Sequence, residues 1–247
     1  MFNRNDLTME ELIEIDIIIL SYAQTDELQK MTIDCLNSLI SSEDAEKIKF
    51  NIVVIESCKD LKPYQYVNSK TIYPDVPFGY HRYMNLGIRI TASPYVCLCN
   101  NDLIFHQNWA TEILKPFEQF ADVHSASPIC SIHHPKIGYK LNDGLKLGYR
   151  VREELSGWCI FMKRDIFRLT GKLDENYIFW CADNDYANML WVMKLNHVLV
   201  TASIVDHLEN KTLNNQSKER REELTDKEVI YFDKKWKYRR GEDWVEI

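Results

Sequence analysis

Hydrophobic positions along the chain follow two periodicities. Short apolar runs rich in β-branched residues, the pattern of buried strands, occupy residues 15–20, 50–55, 71–73 and 95–99. Apolar residues spaced three and four apart predict helices between and after these runs, over residues 28–40, 80–90 and 109–120. Strands that alternate with helices need crossover connections. The first half of the chain therefore predicts a mostly parallel sheet flanked by helices.

The second half alternates less regularly. Its apolar runs predict strands over residues 124–129, 157–162 and 198–204. Helical patterns occupy residues 164–169, 183–194 and, as a charged segment, 218–236. Residues 131–154 are rich in Gly, His and Lys, which is typical of a long loop or a hairpin. No repeat or linker interrupts the pattern, so we expect one domain over residues 1–247.

Composition narrows the class of protein. Hydrophobic residues make up 45% of the 247 and charged residues 27%, as in ordinary globular domains. The net charge of −7 argues against general coating of nucleic acid. No glycine-rich phosphate loop occurs among the 8 glycines. The acidic N-terminus lacks the apolar segment of a signal peptide, and no apolar run is long enough to span a membrane, so we expect a cytoplasmic protein.

The 7 cysteines are an odd number, and several lie in apolar runs. Cys97, Cys99 and Cys159 are therefore expected to be buried, reduced thiols. A zinc site formed by Cys97 and Cys99 with His133 and His134 is the less favoured alternative, because the two thiols share one face of a strand and the spacing is poor for a zinc finger.

Polar residues follow three of the predicted strands directly. They are Ser21-Tyr22, Glu56-Ser57 and Asn100-Asn101-Asp102. Ligands of open parallel sheets bind beyond the carboxyl ends of the strands, so these residues predict a binding pocket. Taken alone, Asp102 is better explained as a turn or cap residue.

The order of these segments resembles the GT-A glycosyltransferases of family 2. The matching segments are LSYAQ, VIESC, FGYHRYMNLGIRITA, YVCLCNND, GWCIFMKRDIF, GKLDENY, CADNDYANML and IVDHLENKT. The resemblance implies a Rossmann-like GT-A fold with a nucleotide-binding half at 14–130, an acceptor and catalytic half at 131–210 and a basic helical tail at 211–247. It implies an inverting, metal-dependent transfer of a sugar from a nucleotide-sugar donor, with UDP favoured, to an acceptor hydroxyl.

The resemblance assigns roles on the donor side. It implies that Mn²⁺ or Mg²⁺ is bound by Asp102, Asn100 and His207, since these ions take oxygen ligands and imidazole suits Mn²⁺. His207 alone is as readily explained as a structural histidine. The donor-binding residues implied are Ser21, Tyr22, Glu56, Ser57, Asn85 and Asn101.

The same resemblance makes Asp183 the catalytic base, kept ionised at a helix N-terminus. A helix cap is the rival interpretation. Asp185 has a supporting role, and Asp174 lies near the acceptor or in a turn. Trp158 and Trp180 are candidates for an aromatic acceptor platform, although each is also an ordinary core residue by type.

Two positions depart from the family pattern. Ala182 replaces the glutamate that usually precedes the base, and Asn100 replaces the first acid of the metal motif. They keep open a non-catalytic nucleotide-sugar or glycan-binding protein as an alternative. A sugar-nucleotidyltransferase is a third hypothesis, but LSYAQTDEL lacks its glycine-rich basic loop.

Charge is uneven along the chain. Residues 211–240 hold ten Lys and Arg against six Asp and Glu, a local charge of +4. A solvated helix face is the favoured explanation. A saccharide is the expected acceptor, and a hydroxymethylated phage DNA base, contacted through this basic segment, is the minor alternative.

Overall fold

The computed structural model describes residues 12–208 and 218–237, and the side chains of 218–225 are not considered. The strands of this part are β1 (Ile13–Ser21), β2 (Ile48–Glu56), β3 (Lys70–Ile72), β4 (Tyr95–Asn100), β5 (Leu103–Phe105), β6 (Val123–Ile129), β7 (Leu145–Leu147), β8 (Cys159–Lys163) and β9 (Asn196–His207). Its α-helices are α1 (Asp26–Ile40), α2 (Tyr80–Arg89), α3 (Trp109–Gln119), α4 (Ile166–Thr170), α5 (Ala182–Met193) and α6 (Lys218–Trp236). Two short 3₁₀ helices occupy Lys59–Leu61 and His134–Ile137.

The strands form one sheet in the order β3-β2-β1-β4-β8-β6-β9-β5, and β7 also pairs with β9. The pairs β1–β2, β2–β3, β1–β4 and β6–β9 are parallel. The pairs β4–β8, β6–β8, β5–β9 and β7–β9 are antiparallel. The α/β fold expected from the sequence is confirmed. The sheet is mixed rather than mostly parallel, because β8, near the centre of the sheet, runs antiparallel to both of its neighbours, β4 and β6.

Helices cover both faces of the sheet. One apolar cluster joins β1 to α1 and α3, and a second joins the opposite face of β1 to α2 and α5. Ile15, Ile17, Ile18 and Ile19 are fully buried as a result, which explains why β1 is apolar throughout instead of alternating. A Cβ atom on Gly87 of α2 would lie 2.5 Å from Ile18, so this glycine permits the close approach of α2 to the sheet.

Helix α6 packs against the segment before α5. Phe232 and Trp236 of α6 are buried in a separate cluster with Tyr177 and Ala182. Ala182 is the position where the family usually has glutamate, and here it is filled by a small side chain in contact with this cluster. The basic segment predicted at 211–240 lies partly outside the described residues. Residues 1–11 lie wholly outside them.

All seven cysteines are free thiols, six of them buried and Cys181 half-buried. The Sγ atom of Cys97 lies 3.4 Å from that of Cys99 and 3.6 Å from that of Cys159, inside the core. The two histidines considered for a zinc site bond instead to backbone groups, His133 to a carbonyl and His134 to an N–H and a carbonyl. The prediction of buried thiols is confirmed, and the described residues do not form the mixed Cys/His site.

None of the helices in the described part of the chain is both long and apolar enough to cross a membrane.

Candidate active site

The turn between β4 and β5 places Asp102 beside His207. Leu103 pairs with His207 in the antiparallel β5–β9 ladder, and the Leu208 N–H donates to the Asp102 carbonyl at 3.0 Å. The Asp102 Oδ1 and His207 Nε2 atoms are 3.3 Å apart. Both side chains are largely buried, at 8% and 18% exposure. Distant parts of the sequence therefore present a carboxylate and an imidazole at one point.

The indole of Trp158 lies flat on the imidazole of His207. Their ring centroids are 4.9 Å apart and their planes differ by 5°. The Trp158 carbonyl accepts a hydrogen bond from the Asn100 N–H at 2.9 Å. Trp158 is 6% exposed, so little of its ring is open to solvent, and its role on the acceptor side stays a prediction. The ring is covered because it packs on His207, and this packing fixes the plane of the imidazole.

Asp183 is the second residue of α5 and is half-buried. Its Oδ1 atom accepts from the Asn184 N–H at 2.9 Å. Burial raises the pKa of Asp183 above that of an ordinary aspartate, and the helix N–H groups and the Arg152 charge oppose this shift only in part. From its place at a helix N-terminus, Asp183 was expected to have its pKa set mainly by the helix dipole. Burial dominates instead, which makes the carboxylate a stronger base than a solvent-exposed one.

Two consecutive residues connect Asp183 with the metal-ligand candidates. A Cβ atom on Gly157 would lie 2.5 Å from the Asp183 Oδ2 atom, so the backbone at Gly157 is in contact with this carboxylate. The next residue, Trp158, contacts both His207 and Asn100. The dipeptide Gly157-Trp158 thus joins the side chains predicted for proton transfer to those predicted for metal binding.

The carboxylate of Glu56 is enclosed by protein donors. Its Oε1 atom accepts from the backbone N–H groups of Ala23 at 3.1 Å and Cys58 at 2.7 Å. Its Oε2 atom accepts from the hydroxyls of Ser21 at 2.7 Å and Tyr66 at 3.0 Å. Ser21 and Glu56 are 1% and 0% exposed. Direct contact with a nucleotide stays a prediction for both residues; the hydrogen bonds described here hold together the loops after β1 and β2.

A chain of hydrogen bonds runs from this network to the metal turn. The hydroxyls of Ser21 and Thr32 are 2.9 Å apart, and the Asn101 Nδ2 atom donates to Thr32 at 2.8 Å. The Ser57 hydroxyl donates to the Ser21 carbonyl at 2.6 Å. Asn101, Ser57 and Tyr22 are half-buried at this edge of the sheet, where Tyr22 has its hydroxyl pKa raised by burial. These three residues remain candidates for donor contact.

Asn85 does not belong to this edge. Its Oδ1 atom accepts from the Leu173 N–H at 3.1 Å, and its Nδ2 atom donates to the Leu173 carbonyl at 2.9 Å and to Glu175 at 3.1 Å. Both ends of the amide are therefore bound to the loop that leads to α5. This buried amide links α2 to that loop, and donor binding by Asn85 stays a prediction.

The two other acids predicted on the acceptor side are bound by α6. Lys235 Nζ lies 2.8 Å from Asp174 and 2.7 Å from Asp185. Tyr231 donates to Asp174 at 2.9 Å, and the Trp236 indole N–H donates to Asp185 at 2.9 Å. Burial alone would raise the pKa of Asp174, but the Lys235, Asn176 and Tyr231 donors lower it to about 2. Asp185 thus connects α5 to α6 through Lys235 and Trp236.

Trp180 is 36% exposed in the segment that immediately precedes α5. It is the aromatic residue predicted on the acceptor side that offers part of its ring to solvent. Its position three residues before Asp183 keeps it a candidate for contact with an acceptor.

Sequence reasoning missed several residues that shape this region. Gly157 carried a signal, since it is the small residue in the segment GWCIFM. Thr32, Tyr66 and Lys235 gave none, because a hydroxyl on a helix or a lysine in a charged segment is unremarkable until the fold places it against a carboxylate. Arg152 adopts a left-handed backbone conformation, φ 68°, and lies close enough to Asp183 for its charge to act on it.

Comparison with known families gives one match over most of the chain. Residues 16–168 match the model of Glycosyl transferase family 2. A search of curated protein sequences finds no match.

Three solved structures illustrate the similarity in fold. A structure of GalNAc-T7 with UDP, GalNAc and Mn²⁺ aligns over 79% of this chain and 43% of its own, with TM-score 0.64 and 12% identity. The mannosyltransferase PcManGT from Pyrobaculum calidifontis, in complex with GDP-Man and Mn²⁺, aligns over 82% and 59%, with TM-score 0.60 and 12% identity. TarS 1-349 from S. aureus aligns over 78% and 59%, with TM-score 0.56 and 13% identity. The chain thus matches less than two thirds of the length of each of these structures.

Proposed function

The chain belongs to glycosyl transferase family 2, and from this membership we propose that it is an inverting glycosyltransferase. It takes a sugar from a nucleotide-sugar donor, with UDP favoured, and transfers it to a hydroxyl of a saccharide acceptor. A divalent cation, Mn²⁺ or Mg²⁺, assists.

One observation carries the proposal. The dipeptide Gly157-Trp158 brings a half-buried carboxylate, Asp183, into the same region as the Asp102–His207 pair. A sugar transfer needs both functions together, a base for the acceptor hydroxyl and a cationic centre for the diphosphate. Their convergence supports an enzyme over a protein that only binds sugar nucleotides.

Asp183 acts as the base in this proposal. The acceptor oxygen attacks the anomeric carbon from the side opposite to the diphosphate, and the carbon–oxygen bond to the diphosphate breaks. The acceptor proton moves to the Asp183 carboxylate, and the nucleoside diphosphate leaves. A pKa raised by burial favours this step, because the carboxylate then binds the proton more tightly.

The metal-ligand candidates fit a divalent cation. Asp102 supplies a carboxylate oxygen and His207 an imidazole nitrogen from atoms 3.3 Å apart, and Asn100 is the last residue of β4, two positions before Asp102. This mixed donor set suits Mn²⁺ better than Mg²⁺. The ion would supply positive charge to the diphosphate as the bond to the sugar breaks. Few protein ligands are needed, because the diphosphate and water supply the rest.

A saccharide acceptor is favoured over DNA. The GalNAc-T7 structure contains UDP, GalNAc and Mn²⁺. In the described part of the basic segment, Lys235 is bound to Asp174 and Asp185 and does not offer a free charge to a phosphate backbone. The acceptor surface proposed here consists of Trp180 and the segment around it.

Thermal-shift measurements with UDP-, GDP-, dTDP- and CMP-sugars, each with and without Mn²⁺, test the proposal. A ligand that binds the native state alone raises the melting temperature. We expect one nucleotide class to raise it only when Mn²⁺ is present, and to support transfer to a saccharide. A metal-dependent shift without turnover would favour the non-catalytic binding protein, and no shift with any donor would overturn both.

A further inference from the structure

The side chain of Glu228 on helix α6 binds the backbone shortly before Asp183, the proposed base. Glu228 is 3% exposed. Its Oε2 atom accepts from the Phe179 N–H at 3.0 Å and from the Trp180 N–H at 2.6 Å, and its Oε1 atom lies 3.2 Å from the Phe179 nitrogen. Bonds between a carboxylate and peptide N–H groups are charge-assisted and shorter than neutral ones. Glu228 therefore holds the backbone at 179–180 from outside the segment.

The segment 179–181, which Glu228 binds, contains a residue in an unfavourable backbone conformation. Cys181, which follows Trp180, has a left-handed backbone conformation with φ 56°. A residue with a Cβ atom adopts this conformation at a cost and keeps it only when its surroundings determine it. Ala182 and Asp183 follow directly as the first two residues of α5. The direction in which Asp183 leaves the turn thus depends on how residues 179–181 are fixed.

A second set of contacts holds the chain on the other side of Asp183. Lys235 and Trp236 of α6 both bind the Asp185 carboxylate. Helix α6 therefore binds the chain on both sides of Asp183. Glu228 binds the backbone before it, and Lys235 and Trp236 bind helix α5 after it. A carboxylate as buried as that of Glu228 is costly in a fold unless its bonds are kept.

We propose that Glu228 is a positioning residue for sugar transfer: it fixes the 179–181 turn so that Trp180 and Asp183 face the acceptor together. This inference rests on the proposed function. It goes further by giving α6 the role of positioning the residues proposed on the acceptor side of the site. Glu228 touches neither substrate nor metal in this proposal and acts through the turn that it binds.

The test compares Glu228→Gln with wild type by two independent measurements. The first is the rate at which Cys181 reacts with Ellman's reagent in the native protein, where the other six thiols are buried. Glutamine keeps the size of the side chain but replaces one acceptor oxygen by a donor NH₂ group, so the turn loosens. We expect the Cys181 reaction to become at least threefold faster. The second measurement is steady-state transfer, where kcat should fall at least tenfold while the KM for the donor stays within twofold.

Asp226→Asn is the matched control. Asp226 is exposed on the same helix, and its substitution removes the same charge without touching the 179–181 turn. It should leave thiol reactivity and kcat unchanged. Glu228→Asp, which keeps the charge but shortens the reach, should fall between wild type and Glu228→Gln in both measurements, and it serves as the test variant if the glutamine protein does not fold.

The possible failures are distinguishable. If wild type neither binds nor transfers any sugar, the proposed function is wrong, and unchanged Cys181 reactivity in Glu228→Gln would separately refute the hold on the turn. If wild type is active and Glu228→Gln keeps its kcat and acceptor KM, the positioning role is overturned even if the thiol reacts faster.

Discussion

A Cβ atom added to Gly157 would lie 2.5 Å from the Oδ2 atom of Asp183 and 2.9 Å from its Cβ atom. Real Cβ atoms do not approach other atoms so closely, so any larger residue at 157 must displace the carboxylate or its helix. The absence of a side chain at this position is therefore part of the proposed catalytic geometry.

Gly157→Ala should lower kcat for transfer by about 100-fold, because a displacement of the base by about 1 Å suffices for such a loss. Donor binding, followed by the metal-dependent thermal shift, should persist. Gly79→Ala is the control, since its Cβ atom would meet nothing closer than Arg82 at 3.4 Å. Normal transfer by Gly157→Ala would show that Asp183 is not the base or that the site tolerates its movement.

Asp183→Asn should abolish transfer and retain donor binding. The raised pKa of Asp183 also predicts two pH effects. Activity should fall on the acid side at a higher pH than an ordinary aspartate would give, because the base must be ionised. In addition, the native state binds this proton more tightly than the unfolded state, so its contribution to stability declines as pH rises through the interval between the two pKa values.

The stability effect gives a second measurement for the same variant. Asparagine removes a charge that burial disfavours, so at pH 7 the free energy of unfolding of Asp183→Asn should equal or exceed that of wild type. A marked loss of stability would instead identify Asp183 as a structural helix cap, the rival interpretation of this residue.

Asp102→Ala and His207→Ala should each eliminate the part of the donor-induced thermal shift that requires Mn²⁺. EDTA should have the same effect on wild type. His124→Ala provides the control for loss of an imidazole, since His124 lies on β6 and bonds to the Asp122 carbonyl. An undiminished Mn²⁺-dependent shift in both site variants would refute the assigned ligands.

Glu56→Gln should act on stability first. The glutamine NH₂ group would face donors instead of accepting from them, and a buried carboxylate with four hydrogen bonds would be lost. We expect the free energy of unfolding to fall by about 2–4 kcal/mol. Urea denaturation measures this, with Glu14→Gln at the start of β1, where the side chain is 41% exposed, as the control. If stability is unchanged but donor binding is impaired, Glu56 contacts the nucleotide directly instead.

The sequence located most elements because their signals are local. The apolar run of β1 and the spaced apolar residues of α1 and α3 identify themselves without reference to the rest of the chain. Strands β5 and β7 were not identified, since each forms by pairing with β9, which is distant along the chain. The mixed sheet was missed for the same reason: strand direction is set by long-range pairing.

In the candidate site, too, local motifs were predictable from the sequence and long-range contacts were not. Asp102, His207 and Asp183 were placed by motif, but the Asp102–His207 contact depends on β5, which the sequence did not predict. Ser21 and Glu56 were correctly expected at strand ends. Whether their oxygens face a ligand or the protein interior depends on Tyr66 and on two backbone N–H groups from other loops, and no local pattern records that choice.

The stack of Trp158 on His207 places a fluorophore against a proposed metal ligand. Mn²⁺ is paramagnetic, and if bound by His207 it would quench the emission of the indole stacked on that ligand. Intrinsic fluorescence would therefore report occupancy of the site directly, and replacing Trp158 by Phe would identify its share among the 6 tryptophans. The packing that orients the imidazole thus also supplies a spectroscopic signal for following metal and donor binding in real time.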